Sequence, residues 1–413
     1  KQWVVTQRKD YIARVNGGRS LPWRVIGFAQ KDEGLLMNDI VYRLASAPAQ
    51  ADWSWVRPGK CTDEWICGIN LHHVPFKAGI NTETYKYYID FASRFKLDYV
   101  MLDAGWSDNE DLFKITTGLD LQEVARYADK KGIGLALWTL SATLDKQLEP
   151  ALTEFSRLGV KFIMTDFMDR DDQPMTRFYQ RVAEACAKHK IMVMFHGAYK
   201  NAGFERTYPH VLTREGVLGS EYNIWSDRAS PEHDLVLPFT RMVAGPMDYE
   251  PGFLEQASQK FFKPQPERVT SQGTRCHQLA MFLVYESPFQ VFSGNPSDGW
   301  LEPEYMEFLG RFPTVWDRTT IIKAKIGDYV VTARKNGTTW YVGGMTDWTA
   351  REFVIDLNFL EEGQFRLTGY EDGLNSEKNP RDYRRREEMV DRTKSIRVGM
   401  APGGGFAFRL EKK

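Results

Sequence analysis

Cysteine is scarce in this 413-residue chain, and Cys61, Cys67, Cys186 and Cys276 form neither a CxxC pair nor a zinc-binding spacing. A Cys61–Cys67 disulfide is open, but free buried thiols are the expectation at this chain length. An excess of one charge is also lacking, because 54 Lys and Arg stand against 55 Asp and Glu and no long basic run interleaves with aromatics. Nucleic acid is therefore not an expected partner. No apolar stretch reaches the roughly 18 residues of a membrane span. A GxGxxG after the first strand and a phosphate loop are both missing, which weighs against a doubly wound nucleotide-binding sheet. The opening KQWVVTQRKDYIARV reads as a strand without the features of a signal peptide, as expected of a mature or truncated chain.

What is present is a globular composition with 42% hydrophobic residues, enough for one large core and a smaller one. Aromatics make up 13%, including 12 Trp, several near expected strand ends or in loops. Indole faces pack well on sugar C–H groups, although core packing is the plainer expectation for most of them.

From about Trp65, short apolar runs alternate with amphipathic helical stretches, the pattern of parallel strands under covering helices. The runs are 64–71, 97–106, 133–140, 160–169, 191–199, 210–217, 240–249 and 287–295. Helical segments such as TETYKYYIDFASRFK, LQEVARYADKKG, LEPALTEFSRLG and MTRFYQRVAEACAKHK lie between them, several closed by Gly or Lys. Eight such units fit a (β/α)8 TIM barrel, an α/β fold, over 51–312. After Trp316 short alternating strands and an Asn336-Gly337 hairpin signal predict a C-terminal antiparallel β-sandwich over 313–413. Residues 1–50 read as β-structure with a linking helix, the remnant of an N-terminal β-sandwich domain.

Asp103, Asp166, His196, Glu215 and Asp248 fall towards the C-terminal ends of their runs, the end at which such barrels build active sites. Asp166 closes an apolar run, so its carboxylate is expected at the barrel mouth; the competing role is a cap on the following turn. Asp169, Asp171 and Asp172 are expected in a solvated loop. Glu215 and Glu221 could converge on one side of the mouth, either dividing acid and base duties or holding a hard cation. An exposed loop position is an equal alternative for Glu221. Glycoside hydrolysis needs one carboxylic acid and one carboxylate flanking the anomeric carbon, and Asp166 with Glu221 can supply that pair.

At these residues the chain resembles glycoside hydrolase family 97, over about nine tenths of its length. The resemblance lies in LDAGW at 102–106, TDF at 165–167, FHGAYK at 195–200, and TREG with GSEYN in 213–223. It implies an N-terminal β-super-sandwich, a barrel and a C-terminal β-domain, with the N-terminal domain packed on the barrel. Inverting members carry a glutamate base after the fifth-strand histidine, where this chain has Gly197. Retaining members, α-galactosidases, place an aspartate nucleophile at the end of the fourth strand, the position of Asp166. The resemblance therefore implies a retaining exo-acting α-galactosidase with Asp166 as nucleophile and Glu221 as acid, then base, acting on α-galactosides or oligosaccharides in the periplasm. An inverting α-glucosidase and a non-catalytic sugar-binding barrel are the alternatives. It also implies a Ca2+ ion held by Glu215 and Glu221 with a residue of the N-terminal domain. His196, which by the resemblance contacts the sugar or the metal environment, is expected as a hydrogen-bonding pocket residue rather than a metal ligand; Asp103, with strand-end bonding an equal alternative, and Trp106 are candidate sugar contacts, and Trp65 and Trp138 weaker ones for which core packing competes.

Overall fold

The computed structural model describes residues 9–11, 13–18, 22–266 and 268–413. Seven parallel strands form a nearly closed barrel: β1 (Gly59–Thr62), β2 (Tyr99–Leu102), β3 (Gly134–Leu140), β4 (Phe162–Asp166), β5 (Met192–Phe195), β6 (Val211–Arg214) and β7 (Phe289–Phe292), with β7 pairing back onto β1. Phe162 and Phe289 stack at 3.8 Å inside it, with Cys61, Met101, Ala136, Met164 and Met194, so the interior is packed rather than open.

The covering helices are α1 (Thr82–Phe95), α2 (Leu121–Lys131), α3 (Ser141–Leu158) and α4 (Gln173–His189). Side chains of Asn81, Asp120 and Asp172 accept from the first-turn N–H groups of α1, α2 and α4. Lys96, Gly132, Gly159 and Lys190 end the four helices in the left-handed conformation, as the sequence pattern suggested. α3 starts earlier than its periodicity implies, because a kink at Gln147 precedes Pro150. One helix escaped the periodicity altogether. α5 (Arg275–Val284) is buried on every side, so it shows no polar face to reveal it.

Two barrel expectations need correction. The first strand lies at 59–62, not 64–71, because Lys60 interrupts its apolar character; the Lys60 amine is buried and donates to the Phe312 carbonyl at 2.5 Å. Residues 64–71 instead form turns, with Gly68 and Ile69 at positive φ. The run at 240–249 forms no strand: a 3-10 turn at Met242–Ala244 leads into an extended stretch between β6 and β7. That stretch bonds its neighbours at isolated points, among them Asp248 N to Arg214 O at 2.8 Å, Met247 N to Glu286 O at 3.0 Å and Ser293 N to Pro251 O at 3.0 Å. The Arg241 guanidinium substitutes for the missing ladder by donating to the carbonyls of Arg214, Glu215, Gly216, Gly245 and Pro246 and to Asn201.

The C-terminal part is a sandwich of unequal sheets. Strands β8 (Arg318–Lys325), β9 (Tyr329–Asn336), β10 (Thr339–Thr346), β12 (Phe365–Asp372), β13 (Tyr383–Val390) and β15 (Gly405–Lys412) form a six-stranded antiparallel sheet, in the order β8-β9-β10-β15-β12-β13. β11 (Arg351–Asp356) pairs with β14 (Ser395–Met400), and a core including Val331, Trp340, Ile355, Val398 and Phe408 fills the space between. α5 packs on the other face of the large sheet: a Cβ at Gly343 would lie 2.7 Å from Leu283 Cβ, and one at Gly405 2.8 Å from the Cys276 carbonyl.

Much of the opening segment lies outside the described residues. Those described before β1 hold two short helices, Glu33–Leu36 and Ile40–Leu44, and no strand. Trp23, Ile26 and Phe28 are 72%, 79% and 92% exposed there. An extended segment becomes a strand only where a neighbour takes its backbone hydrogen bonds.

Candidate active site

The C-terminal ends of the barrel strands gather acidic side chains around His196. Asp63 and Glu64 follow β1, Asp103 follows β2, Asp166 ends β4, His196 follows β5, Glu215 follows β6, and Asp248 and Glu250 come from the extended stretch between β6 and β7.

Asp166 is buried and held by two donors: Trp138 Nε1 reaches Oδ2 at 3.1 Å, and Phe167 N reaches Oδ1 at 2.5 Å. The chain turns sharply behind it, with Phe167 and Asp169 at φ 62° and 54°. Two non-glycine departures of this kind within three residues mark a segment constrained by its surroundings. Gly197, at φ 54°, closes over the same carboxylate, and a Cβ there would lie 2.7 Å from Asp166 Oδ1 and 2.7 Å from Phe167 N.

Glu221 sits on the 3-10 turn Ser220–Ile224, anchored where Ser220 N donates to the Tyr249 carbonyl at 2.9 Å. Its Oε2 accepts from Trp65 Nε1 at 3.1 Å. Glu215 Oε2 accepts from Gly197 N at 2.6 Å and lies 3.8 Å from His196 Nδ1. On its other side, His196 Nε2 lies 3.3 Å from Asp248 Oδ2 and 3.8 Å from Glu250 Oε1.

Burial pushes the Glu221 carboxyl above its usual range, and Asp166 and Asp248 add to this against the opposing pull of His196 and Trp65. Glu215 is raised by burial, with Glu221 and Asp166 adding and His196 opposing. Burial alone would lower His196, but Glu215, Asp248, Glu250 and Asp166 outweigh it, so the imidazole is held well above its ordinary value. Asp103 rises to about 7 through burial, with contributions from Asp166 and Glu221; Glu64 rises to about 8 through burial and Asp103. A carboxyl with a raised pKa and a neighbouring one held by N–H donors make a pair that can divide acid and nucleophile duties.

Trp106 is not a sugar platform: it is fully buried against Phe155, and its N–H donates to the Trp138 carbonyl at 2.7 Å. The small residues of LDAGW let the chain fold the indole inward rather than into the mouth. Trp138, also buried, spends its N–H on Asp166, while Trp65 is 44% exposed beside Glu221. Asp103 is buried, its N–H bound to Glu64 Oε1 at 3.1 Å. All four cysteines are free. Asp63, Glu64 and Glu250 went unrecognised in the sequence. The first two would have stood out as acids at a strand end had the first strand been read at 59–62.

Residues 65–217 match the family profile Glycoside hydrolase 97, and 315–411 match Glycosyl-hydrolase 97 C-terminal, oligomerisation. A retaining alpha-galactosidase of Bacteroides thetaiotaomicron is 41% identical over 414 residues, covering 99% of this chain and 62% of that protein. A probable retaining alpha-galactosidase of Streptomyces bingchenggensis is 32% identical over 402 residues, covering 95% and 58%. Among solved structures, a glycoside hydrolase family 97 enzyme from Pseudoalteromonas sp. strain K8 in complex with acarbose superposes with a TM-score of 0.85 at 29% identity, covering 93% of this chain and 65% of that one. The chain thus spans about six tenths of the length of the curated relatives it matches.

Proposed function

Because the chain belongs to glycoside hydrolase family 97, matching that family's profiles in both its barrel and its C-terminal part, we propose that it is a retaining, exo-acting α-galactosidase. The observation that carries this reading is the contact between Gly197 and Asp166. A side chain at 197 would collide with the Asp166 carboxylate and the Phe167 backbone, so a glutamate base at 197 and a carboxylate in the present Asp166 position exclude each other.

In the proposed reaction Asp166 attacks the anomeric carbon while Glu221 donates its proton to the leaving oxygen, giving a β-linked galactosyl ester on Asp166. Glu221, now ionised, takes a proton from water as that water attacks the same carbon and releases α-galactose. The environment of Glu221 suits the first step, since burial, with Asp166 and Asp248 adding, raises its pKa above the usual carboxylate value and so favours the protonated form. Trp138 orients the nucleophile, Trp65 the acid, and Asp103 is the side chain left to receive a sugar hydroxyl.

Glu215 and Glu221 offer an all-oxygen donor pair whose mutual repulsion a calcium ion would relieve, and such an ion would supply fixed positive charge beside the acid. Substitution Asp166→Gly tests the assignment. Turnover of an aryl α-galactoside should collapse and return in part with azide, giving β-galactosyl azide; unchanged turnover, or β-galactose as the first hydrolysis product by proton NMR, would remove the nucleophile.

A further inference from the structure

His196, Asp248 and Glu250 are arranged in a way that neither acid–base chemistry nor sugar binding accounts for. His196 Nε2, a carboxylate oxygen of Asp248 and one of Glu250 all lie within 4.8 Å of one another, and all three residues are buried. A charge-assisted hydrogen bond from an imidazole to a carboxylate spans about 2.7–2.9 Å. The closest contact here is 3.3 Å, and His196 Nε2 and both oxygens of Asp248 have no hydrogen-bond partner. Ligands about 2.0 Å from a tetrahedral ion stand about 3.3 Å apart, so the His196–Asp248 spacing matches one edge of a coordination polyhedron, and Glu250, 3.8 Å from Nε2, needs a movement of about 0.5 Å to complete another.

Asp63 points to the same conclusion independently. It is 1% exposed, neither of its oxygens has a hydrogen-bond partner, and its charge acts on His196, Asp248 and Glu250. The oxygens of Asp63 and Asp248 each expose less than 1 Å², so a sugar hydroxyl cannot reach them. A bare cation enclosed by the cluster can.

We propose that His196, Asp248 and Glu250, backed by Asp63, form a binding site for a first-row divalent transition cation, separate from the calcium expected at Glu215 and Glu221. The imidazole nitrogen among carboxylates selects this class, whereas calcium takes six to eight oxygens. The ion would tie β5 to the stretch between β6 and β7, where strand hydrogen bonds are few.

The test uses the full tag-free chain, stripped with EDTA and titrated with Co2+ and Mn2+ under saturating calcium. One ion per chain by elemental analysis, a Co2+ ligand-field band and 14N coupling to bound Mn2+ are expected. Asp248→Asn and Glu250→Gln, checked for folding by thermal melts, should each weaken binding by more than about 100-fold, beyond the cost of removing an outer-shell partner. Absence of stoichiometric binding in the wild type, displacement by calcium, a bound ion without nitrogen coupling, or affinity unchanged in both variants would each overturn the site. Because binding is read without turnover, failure here leaves the azide-rescue result on Asp166 untouched.

Discussion

Replacing Gly197 by alanine adds one carbon at the point where β5 meets the loop behind Asp166. The left-handed conformation alone costs a residue with a Cβ about 1–2 kcal/mol. The new atom would stand 2.7 Å from both Asp166 Oδ1 and Phe167 N, where ordinary contact begins at 3.4 Å, so roughly 0.7 Å of movement is required. The carboxylate could swing away by itself, but a backbone nitrogen cannot. Relief must therefore shift the end of β4 together with the nucleophile. Overpacking of this kind adds about 1–3 kcal/mol, for a total destabilisation of roughly 2–5 kcal/mol. Displacing a reacting group by about 1 Å costs on the order of 100-fold, so kcat should fall roughly 10- to 100-fold with KM little changed. The assay is steady-state hydrolysis of an aryl α-galactoside beside a thermal melt. Gly203→Ala serves as the control, because Gly203 has φ 82° and its Cβ would meet Ala45 and Val41, away from Asp166. It should share the loss of stability and keep kcat. If Gly197→Ala turns over within two-fold of wild type, or if the control loses kcat equally, the close approach of Gly197 has no bearing on the nucleophile.

Two further expectations follow from single contacts. Trp138→Phe keeps most of the ring but removes the N–H donated to Asp166; a hydrogen bond to a charged group is worth about 1.5–3 kcal/mol, so kcat/KM should drop by roughly 10- to 100-fold, and an unaltered value would refute its orienting role. His210 is fully buried, stacks on Trp53 at 5.0 Å, and is lowered from 6.5 to about 4 by burial. The unfolded chain therefore takes up a proton that the folded chain refuses. Stability present above pH 6.5 is lost as pH falls towards 4, by about 3 kcal/mol. Melts of His210→Phe across that window should show a correspondingly smaller acid loss than wild type, and parallel curves would count against it.

The features legible in the sequence were those with a local cause. Helix ends announced themselves through Lys96, Gly132, Gly159 and Lys190, and the position of Asp166 at the end of an apolar run followed from period and burial alone. What failed depended on partners distant in the chain. Lys60 disguises β1 because the Phe312 carbonyl that satisfies its amine lies 252 residues away. The eighth strand is replaced by a guanidinium whose bonds to six separate groups have no signature in the apolar pattern of 240–249. Trp106 resembled a stacking residue because direction cannot be read from a five-residue motif, and the loop LDAGW turns it inward. Asp63 and Glu64 were hidden by the shifted placement of β1, and Glu250 by its position just past the run at 240–249, in a stretch that forms no strand.

The all-round burial of α5 has a consequence for how the two parts of the molecule are joined. Its ten residues are shared property, with one side belonging to the barrel and the other to the sheet carrying Gly343 and Gly405. The seam between the parts therefore runs along both flanks of a helix and not through the loop near residue 313. A cut at that loop would strip the cover from one flank of α5, so the two pieces are better understood as halves of one folding unit than as modules that evolution could shuffle independently.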